Sequence, residues 1–293
     1  MSNEVTFIHL SDPHLIAPSK QASLYGVNTN EKLSLFKEVF SSLPFKPAFF
    51  IMSGDLIHDG DEADYQYVKE FIRNCEKQFQ APFLLTLGNH DRRKAFRSVF
   101  LNESKSEAPY YYSKTVGGVR VIVLDTKIPN EVNGEVSIDQ LNWLADILKV
   151  DTEKGTIIAM HHPPIDDHLR NKAAFGNMIE GTDVIGILAG HTHNNCLFQF
   201  HSIPCTTVFS TAYGMEELKN TESSQNEYGT VKDRVGSSVE QTTSETNTII
   251  ASDNKETFDI KMTQTTGFHK VEVKQRQMIV YPQIVTTENS TIF

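Results

Sequence analysis

What this chain lacks narrows its setting before any motif is read. Its 293 residues include only 3 cysteines, Cys75, Cys196 and Cys205, with no CxxC spacing. So sparse and odd a count argues against a disulfide framework and fits a reducing compartment. Each cysteine is expected to be a small buried hydrophobe. No apolar run approaches the length of a membrane span. No basic stretch with an apolar one behind it precedes the first strand-like run, Val5 to Leu10, so no secretory leader is expected. Basic residues are outnumbered: 27 Lys and Arg against 37 Asp and Glu leave a formal net charge of −10. That average field repels a nucleic-acid polymer unless bound metals or a local basic patch reverse it. The expectation is a soluble, cytoplasmic protein with neither a membrane nor a nucleic-acid polymer as partner.

Apolar residues make up 39% of the chain, enough to bury a sizeable core. They fall into short runs: Val5–Leu10, Ala48–Met52, Phe83–Leu87, Val119–Leu124, Thr156–Met160 and Val184–Ala189. Such runs read as buried strands. Helical spacing lies between several of them. In Asn30–Phe40 it aligns Leu33, Phe36, Val39 and Phe40. In Asp61–Phe79 it aligns Tyr65, Val68, Phe71, Ile72 and Cys75, and in Ile138–Val150 Leu141, Leu144, Ile147 and Leu148. Ser137 and Gln140 have the spacing of a capping box. Strands alternating with helices predict α/β layers. Residues 216–256 break this pattern, being rich in Ser, Thr, Asn and Glu. Such a stretch buries little by itself. Strand pattern returns in Phe268–Lys274 and Gln277–Val285, a predicted hairpin. The organisation expected is a core over 1–215, a polar insertion over 216–256 and a hairpin within 257–293 that completes the core. The insertion would be a cap, a contact with a second copy, or a disordered loop.

Five short motifs carry the chemistry: Asp12-Pro13-His14, Gly54-Asp55, Gly88-Asn89-His90-Asp91, His161-His162-Pro163-Pro164 and Gly190-His191-Thr192-His193. Each follows a strand-like run or its end. They supply carboxylates, imidazoles and one amide carbonyl, a donor mixture suited to Mn, Fe, Zn or Co rather than to Ca²⁺ or a thiolate-bound metal. In an extended chain Asp12 and His14 point the same way and can reach one ion. A two-metal site needs a carboxylate bridging ions roughly 3.5–4 Å apart, and Asp55 is the candidate. Asn89 can bind through its carbonyl oxygen, which leaves His90 facing whatever the ions hold. Of the adjacent His161 and His162, at most one can be a ligand, the other packing or supporting it. Taken singly, Asp-Pro, Gly-Asp and Gly-Asn read as turns, and Asp91 as the N-cap of a helix over Arg92–Phe100. Five in order at strand ends do not read as turns.

With these residues the chain resembles the calcineurin-like metallophosphoesterase superfamily. Within it, the chain is most similar to the class III cyclic-nucleotide and glycerophosphodiester phosphodiesterases. The resemblance spans about residues 5–214 and returns at 267–285, and it extends to Leu24-Tyr25-Gly26 and to the helix with Arg93, Phe96 and Arg97. It implies a four-layer αββα sandwich of two mixed sheets flanked by helices, with a dinuclear site at the strand ends. It implies that Asp12, His14, Asp55 and His193 hold one divalent ion, and that Asp55, Asn89, His161 and His191 hold the other. It makes His90 the general acid or charge stabiliser in hydrolysis of a small phosphodiester such as cyclic AMP. One departure stands out. The family's Gly-Asp motif often has Asp or Asn three residues after the metal-binding Asp, and here that residue is His58. Arg92 and Arg93 are phosphate contacts or, as the plainer reading has it, solvated surface residues. A phosphomonoesterase or protein phosphatase would use the same site. A non-catalytic binding scaffold should have lost some of these residues, and none is missing. Self-association stays open.

Overall fold

The computed structural model describes residues 4–218, 229–232, 238–241, 248–253 and 256–285. In chain order the strands of its first part are β1 (Glu4–Leu10), β2 (Phe50–Ser53), β3 (Phe83–Thr86), β4 (Tyr112–Val116), β5 (Val119–Val123), β6 (Thr156–Ala159), β7 (Val184–Ala189), β8 (Cys196–Phe200) and β9 (Ile203–Thr207). After them come β10 (Gly214–Leu218), β11 (Gly229–Lys232), β12 (Ser238–Gln241), β13 (Thr248–Asp253), β14 (Glu256–Thr263), β15 (Thr266–Lys274) and β16 (Gln277–Val285). The helices are α1 (Thr29–Ser41), α2 (Glu62–Phe79), α3 (Arg93–Phe96), α4 (Ile138–Ile147) and α5 (Lys172–Ile179).

Two mixed sheets form the frame. One runs β16-β15-β1-β2-β3 and the other β4-β5-β6-β7-β9-β8. Within them β1, β2 and β3 are mutually parallel, as are β5, β6, β7 and β9. Their inner faces meet through Phe7, Phe49, Ile51, Leu84, Val121, Val123, Ile157 and Leu188, all buried. Helices cover the outer faces. Leu33 and Phe36 of α1 and Tyr65 and Val68 of α2 close one core with Phe50 and Phe268, while Leu141 and Leu144 of α4 and Phe175 of α5 close the other. These strands are apolar on both sides because each sheet lies between a second sheet and helices, which is why they read as unbroken runs.

Both α2 and α4 are capped at their N-termini, but the capping box expected from Ser137 and Gln140 forms only in half. Asp61 caps α2, accepting from Ala63 N at 2.9 Å, and Asp64 Oδ2 accepts from Asp61 N at 2.8 Å. Ser137 Oγ accepts from Gln140 N at 3.4 Å, but the Gln140 amide turns instead to the Asp125 backbone, bonding both its N–H and its carbonyl. The hairpin β15–β16 joins the first sheet by antiparallel pairing of β15 with β1.

Four expectations change. The helix after the third motif is one α turn followed by a π turn over Arg97–Leu101, with Arg92 as N-cap. Asp91 does not cap it. Its carboxylate accepts from Leu56 N (3.1 Å), Gly88 N (2.8 Å) and Tyr65 Oη (2.7 Å), tying the second and third motif loops together. Arg93 is no surface arginine: it is buried in a two-pronged pair with Asp125, both contacts at 2.8 Å. Cys196 is exposed on the edge strand β8, whereas Cys75 and Cys205 are buried. The polar stretch contains strands that its composition did not announce: β14 lies between β10 and β13, and β11 pairs with β12. Residues 219–228, 233–237, 242–247 and 254–255, which carry much of the expected cap or oligomer contact, lie outside the described residues.

Candidate metal centre

The five motifs meet because parallel strands of both sheets end at the same place. Backbone bonds stitch the ends together. Asp12 N donates to Gly54 O (3.1 Å), His14 N to Asp55 O (3.0 Å), Gly190 N to His161 O (3.0 Å) and Thr211 N to Ser11 O (3.0 Å). Glycine is needed where these loops touch. A Cβ on Gly88 would overlap Asp55 and His161, and one on Gly54 would overlap the His161 ring. Five of the expected ligands also sit in left-handed backbone: Asp12 (φ 52°), His14 (43°), Asp55 (48°), His191 (71°) and His193 (55°). Non-glycine residues there cost on the order of 1–3 kcal/mol each and persist where the surroundings impose them, commonly at functional sites. The convergence of Asp12 and His14 therefore comes from two left-handed kinks, not from the extended chain that the sequence predicts.

The donor atoms form two adjoining sets. In the first, His14 Nε2 lies 3.1 Å from His193 Nε2 and 3.7 Å from Asp55 Oδ2, and His193 Nε2 lies 3.4 Å from Asp12 Oδ1. In the second, Asn89 Oδ1 lies 3.1 Å from both His161 Nε2 and His191 Nδ1, and His161 Nε2 lies 3.3 Å from Asp55 Oδ2. Asp55 belongs to both. Donors about 2.0–2.2 Å from one ion would be separated by roughly this much.

Proton positions sharpen the test. His161 Nδ1 lies 2.8 Å from the Ser53 carbonyl, and His193 Nδ1 lies 3.1 Å from the Tyr213 carbonyl. A carbonyl only accepts, so both Nδ1 atoms carry the proton. In the neutral rings both Nε2 lone pairs then point at other acceptors. Lone pairs aimed at one another make sense around a cation, and such outer bonds fix the tautomer of metal-binding histidines. The residues present fit divalent ions.

Electrostatics agree. Burial opposes charge on Asp55, yet the facing imidazoles of His161 and His90 hold its carboxyl well below the usual range. Burial likewise opposes a charged His161, but Asp55 and Asp12 outweigh it and raise the ring to about 9. The pocket is thus anionic enough to attract a proton, and with greater force a divalent ion. Burial holds His14 and His191 well below 6.5, as unprotonated donors.

His162 stands apart. Its Nε2 donates to Val132 O at 2.8 Å and its Nδ1 meets Thr126 Oγ1 at 2.7 Å, so both nitrogens are engaged by protein. His90 lies at the rim, about one-third exposed, with Nδ1 donating to Asp59 Oδ2 at 2.8 Å and its backbone N–H donating to Asp55 Oδ1 at 2.9 Å. Burial works against charge on this ring, but Asp55 and Asp59 prevail and raise its pKa. Arg92 reaches Asp59 from the solvent side at 2.8 Å. The His58 ring stacks on His90, centroids 4.5 Å apart, with Nδ1 3.2 Å from His14 Nδ1. Burial, with His90 beside it, lowers the His58 ring to about 4.

Three residues at this site were not singled out from the sequence. Asp59 orients His90, Lys127 Nζ donates to the Asn89 carbonyl, and the Tyr213 carbonyl anchors His193. Asp59 could have been found from its place four residues past Asp55. The other two come from segments without a motif.

A sandwich with carboxylates and imidazoles at parallel strand ends defines a metal-dependent hydrolase of phosphoric esters. The chain belongs to the calcineurin-like phosphoesterase family, whose model matches residues 5–195. It is 35% identical over 219 residues to a cAMP/cGMP dual specificity phosphodiesterase of Mycobacterium tuberculosis, covering 72% of this chain and 68% of that relative. It is 30% identical over 199 residues to the 3′,5′-cyclic adenosine monophosphate phosphodiesterase CpdA of Escherichia coli K12, covering 64% and 70%. A dimetal phosphatase from Danio rerio shares the fold, with a TM-score of 0.53 at 12% identity over 94% of this chain and 98% of that one. Among the described residues no helix is long and apolar enough to cross a membrane.

Proposed function

We propose that this chain hydrolyses 3′,5′-cyclic nucleotides. Asp12, His14, Asp55 and His193 would hold one divalent ion, and Asp55, Asn89, His161 and His191 a second. The observation that carries the reading is the pair of donor sets sharing Asp55, set in a chain 35% identical to a cyclic-nucleotide phosphodiesterase. Bound divalent ions supply Lewis acidity, which lowers the pKa of water and offsets charge on phosphate.

The chain's own residues do the rest. Asp55 lies between the two donor sets and is fixed by the His90 backbone N–H. Lys127, held on the Asn89 carbonyl, keeps that loop seated. His90, its pKa raised by Asp55 and Asp59 against the effect of burial, stands at the rim, where it can hydrogen-bond a phosphate oxygen or give its proton to the leaving alkoxide. Arg92, paired with Asp59 and half exposed beside it, is placed to approach a diester, whereas Arg93 is buried. Free thiols, one of them exposed, suit a reducing cytoplasm.

The test is a rate panel on protein reconstituted with Mn²⁺, Fe²⁺, Zn²⁺ or Co²⁺. Cyclic AMP, cyclic GMP, glycerophosphodiesters, bis(p-nitrophenyl) phosphate and monoesters are compared. Cyclic nucleotides should give the highest kcat/KM with at least one metal. A preference for monoesters with every metal would replace this reading by a phosphatase.

A further inference from the structure

Each of the three Nε2-facing histidines in the donor sets has its outer nitrogen held, but not in the same way. For His161 and His193 the partner is a backbone carbonyl, Ser53 O and Tyr213 O. For His14 it is another imidazole: His14 Nδ1 lies 3.2 Å from His58 Nδ1. His14 Nε2 faces Asp55 and His193, so that nitrogen must offer its lone pair if an ion lies there. Its proton then sits on Nδ1 and points at His58. Two N–H groups cannot face each other at this distance, so His58 Nδ1 is the acceptor and His58 carries its own proton on Nε2.

We infer that His58 is a positioning residue which fixes the tautomer and ring angle of His14, and thereby tunes the affinity of the ion that His14 helps to hold. The inference rests on the ligand assignment proposed above. His58 occupies the place three residues past Asp55 where the sequence departs from the Asp or Asn common in the family. The roles at that corner are divided in consequence. Asp59, one residue on, takes the His90 ring, while His58 turns its Nδ1 inward to His14. Geometry holds it there. The His90 ring stacks on one face at 4.5 Å and 23°, and Tyr25 meets it edge-on at 6.3 Å and 77°. A carboxylate in this position would add a negative charge next to the first donor set. A neutral imidazole orients His14 without that charge, so the carboxylates of the first donor set stay those of Asp12 and Asp55.

The experiment separates the acceptor from the ring. His58→Phe keeps a flat ring to stack on His90 but removes the acceptor. His58→Asn loses the ring but places an amide oxygen where Nδ1 was. Apo protein is titrated with Co²⁺ and Mn²⁺, and the two binding steps are read by absorption, electron paramagnetic resonance and calorimetry, with no activity assay involved. His58→Phe should weaken one step by roughly 10–100-fold and leave the other within a factor of a few. His58→Asn should restore most of the lost affinity. In Zn²⁺-loaded wild type, ¹⁵N spectra should show protonated Nδ1 on His14 and protonated Nε2 on His58. Unchanged affinity in both variants, equal loss in both, or the opposite tautomers would overturn the role of His58 while wild type still binds two ions. A wild type that takes up fewer than two ions would bring down the ligand assignment itself, and this inference with it.

Discussion

His161 and His162 are neighbours in the chain whose rings stand nearly perpendicular, at 86° with centroids 4.9 Å apart, and serve opposite sides of the strand end. His161 points its Nε2 at Asn89 and Asp55, whereas His162 is bonded at both nitrogens by Thr126 and Val132. The two alanine variants should therefore fail differently. His161→Ala should lose about one equivalent of metal by elemental analysis yet stay folded. His162→Ala should keep its metal and lose about 1–3 kcal/mol of stability in urea, since the buried Thr126 hydroxyl loses its ring partner. Metal loss in His162→Ala with stability intact would reverse the two roles.

Asp55 belongs to both donor sets, and its Oδ1 already accepts from the His90 backbone N–H. Asp55→Asn keeps the shape but removes the shared charge. Both ions should weaken together, and activity should fall by at least roughly 10²-fold, the upper range seen even for outer partners of a metal site. Retention of one ion at wild-type affinity would show that the sets are independent.

His90 and Asp59 form a pair whose members should separate in kinetics. His90→Ala should lower kcat on the order of 10²–10⁴-fold while metal content stays near wild type. Asp59→Asn keeps the ring but removes a charge that raises its pKa. The activity limb that requires protonated His90 should then move to lower pH, so the variant loses rate first on the alkaline side. A pH profile superimposable on wild type would mean that His90 acts only as a neutral hydrogen-bond donor.

Much of this is legible in the sequence alone. The strand ends of β1, β2, β3, β6 and β7 were marked by apolar runs meeting Asp, Gly or His, and those marks lie in local sequence. The hairpin β15–β16 could be read from alternation about a short turn. What could not be read depended on contacts far apart in the chain. Arg93 looks like a surface residue until Asp125, 32 residues on, is brought to it. Asp91 looks like a helix cap until Leu56 and Tyr65 arrive to occupy it. The left-handed backbone at Asp12, His14 and Asp55 is not fixed by residue type: Asp and His tolerate it better than most, but the packed loops select it here. Strand β8 lacks the unbroken apolar run of its neighbours because it is an edge strand with exposed side chains, and the buried β9 lacks it because Pro, Cys and two Thr fill most of its length.

A final expectation concerns acid stability and lies outside the catalytic centre. His9 on β1 and His269 on β15 are register partners buried against each other, centroids 5.6 Å apart, each with an Nδ1 that has no hydrogen-bond partner. Burial holds His9 well below 6.5 and lowers His269 to about 3. In the unfolded chain both rings take up protons near pH 6.5. Between that pH and the folded values the unfolded state binds more protons, so stability is full above about 6.5 and falls as the pH drops toward 3. Each ring contributes a slope of up to about 1.4 kcal/mol per pH unit. His269→Gln removes one titrating group and keeps an N–H that can reach Asn195 Oδ1, to which the His269 ring bonds at 2.8 Å. Urea unfolding of metal-free protein at pH 7 and pH 5.5 should therefore show a smaller loss in the variant than in wild type. Equal losses would mean that the pair is protonated in the fold, and that acid sensitivity arises at the strand ends instead.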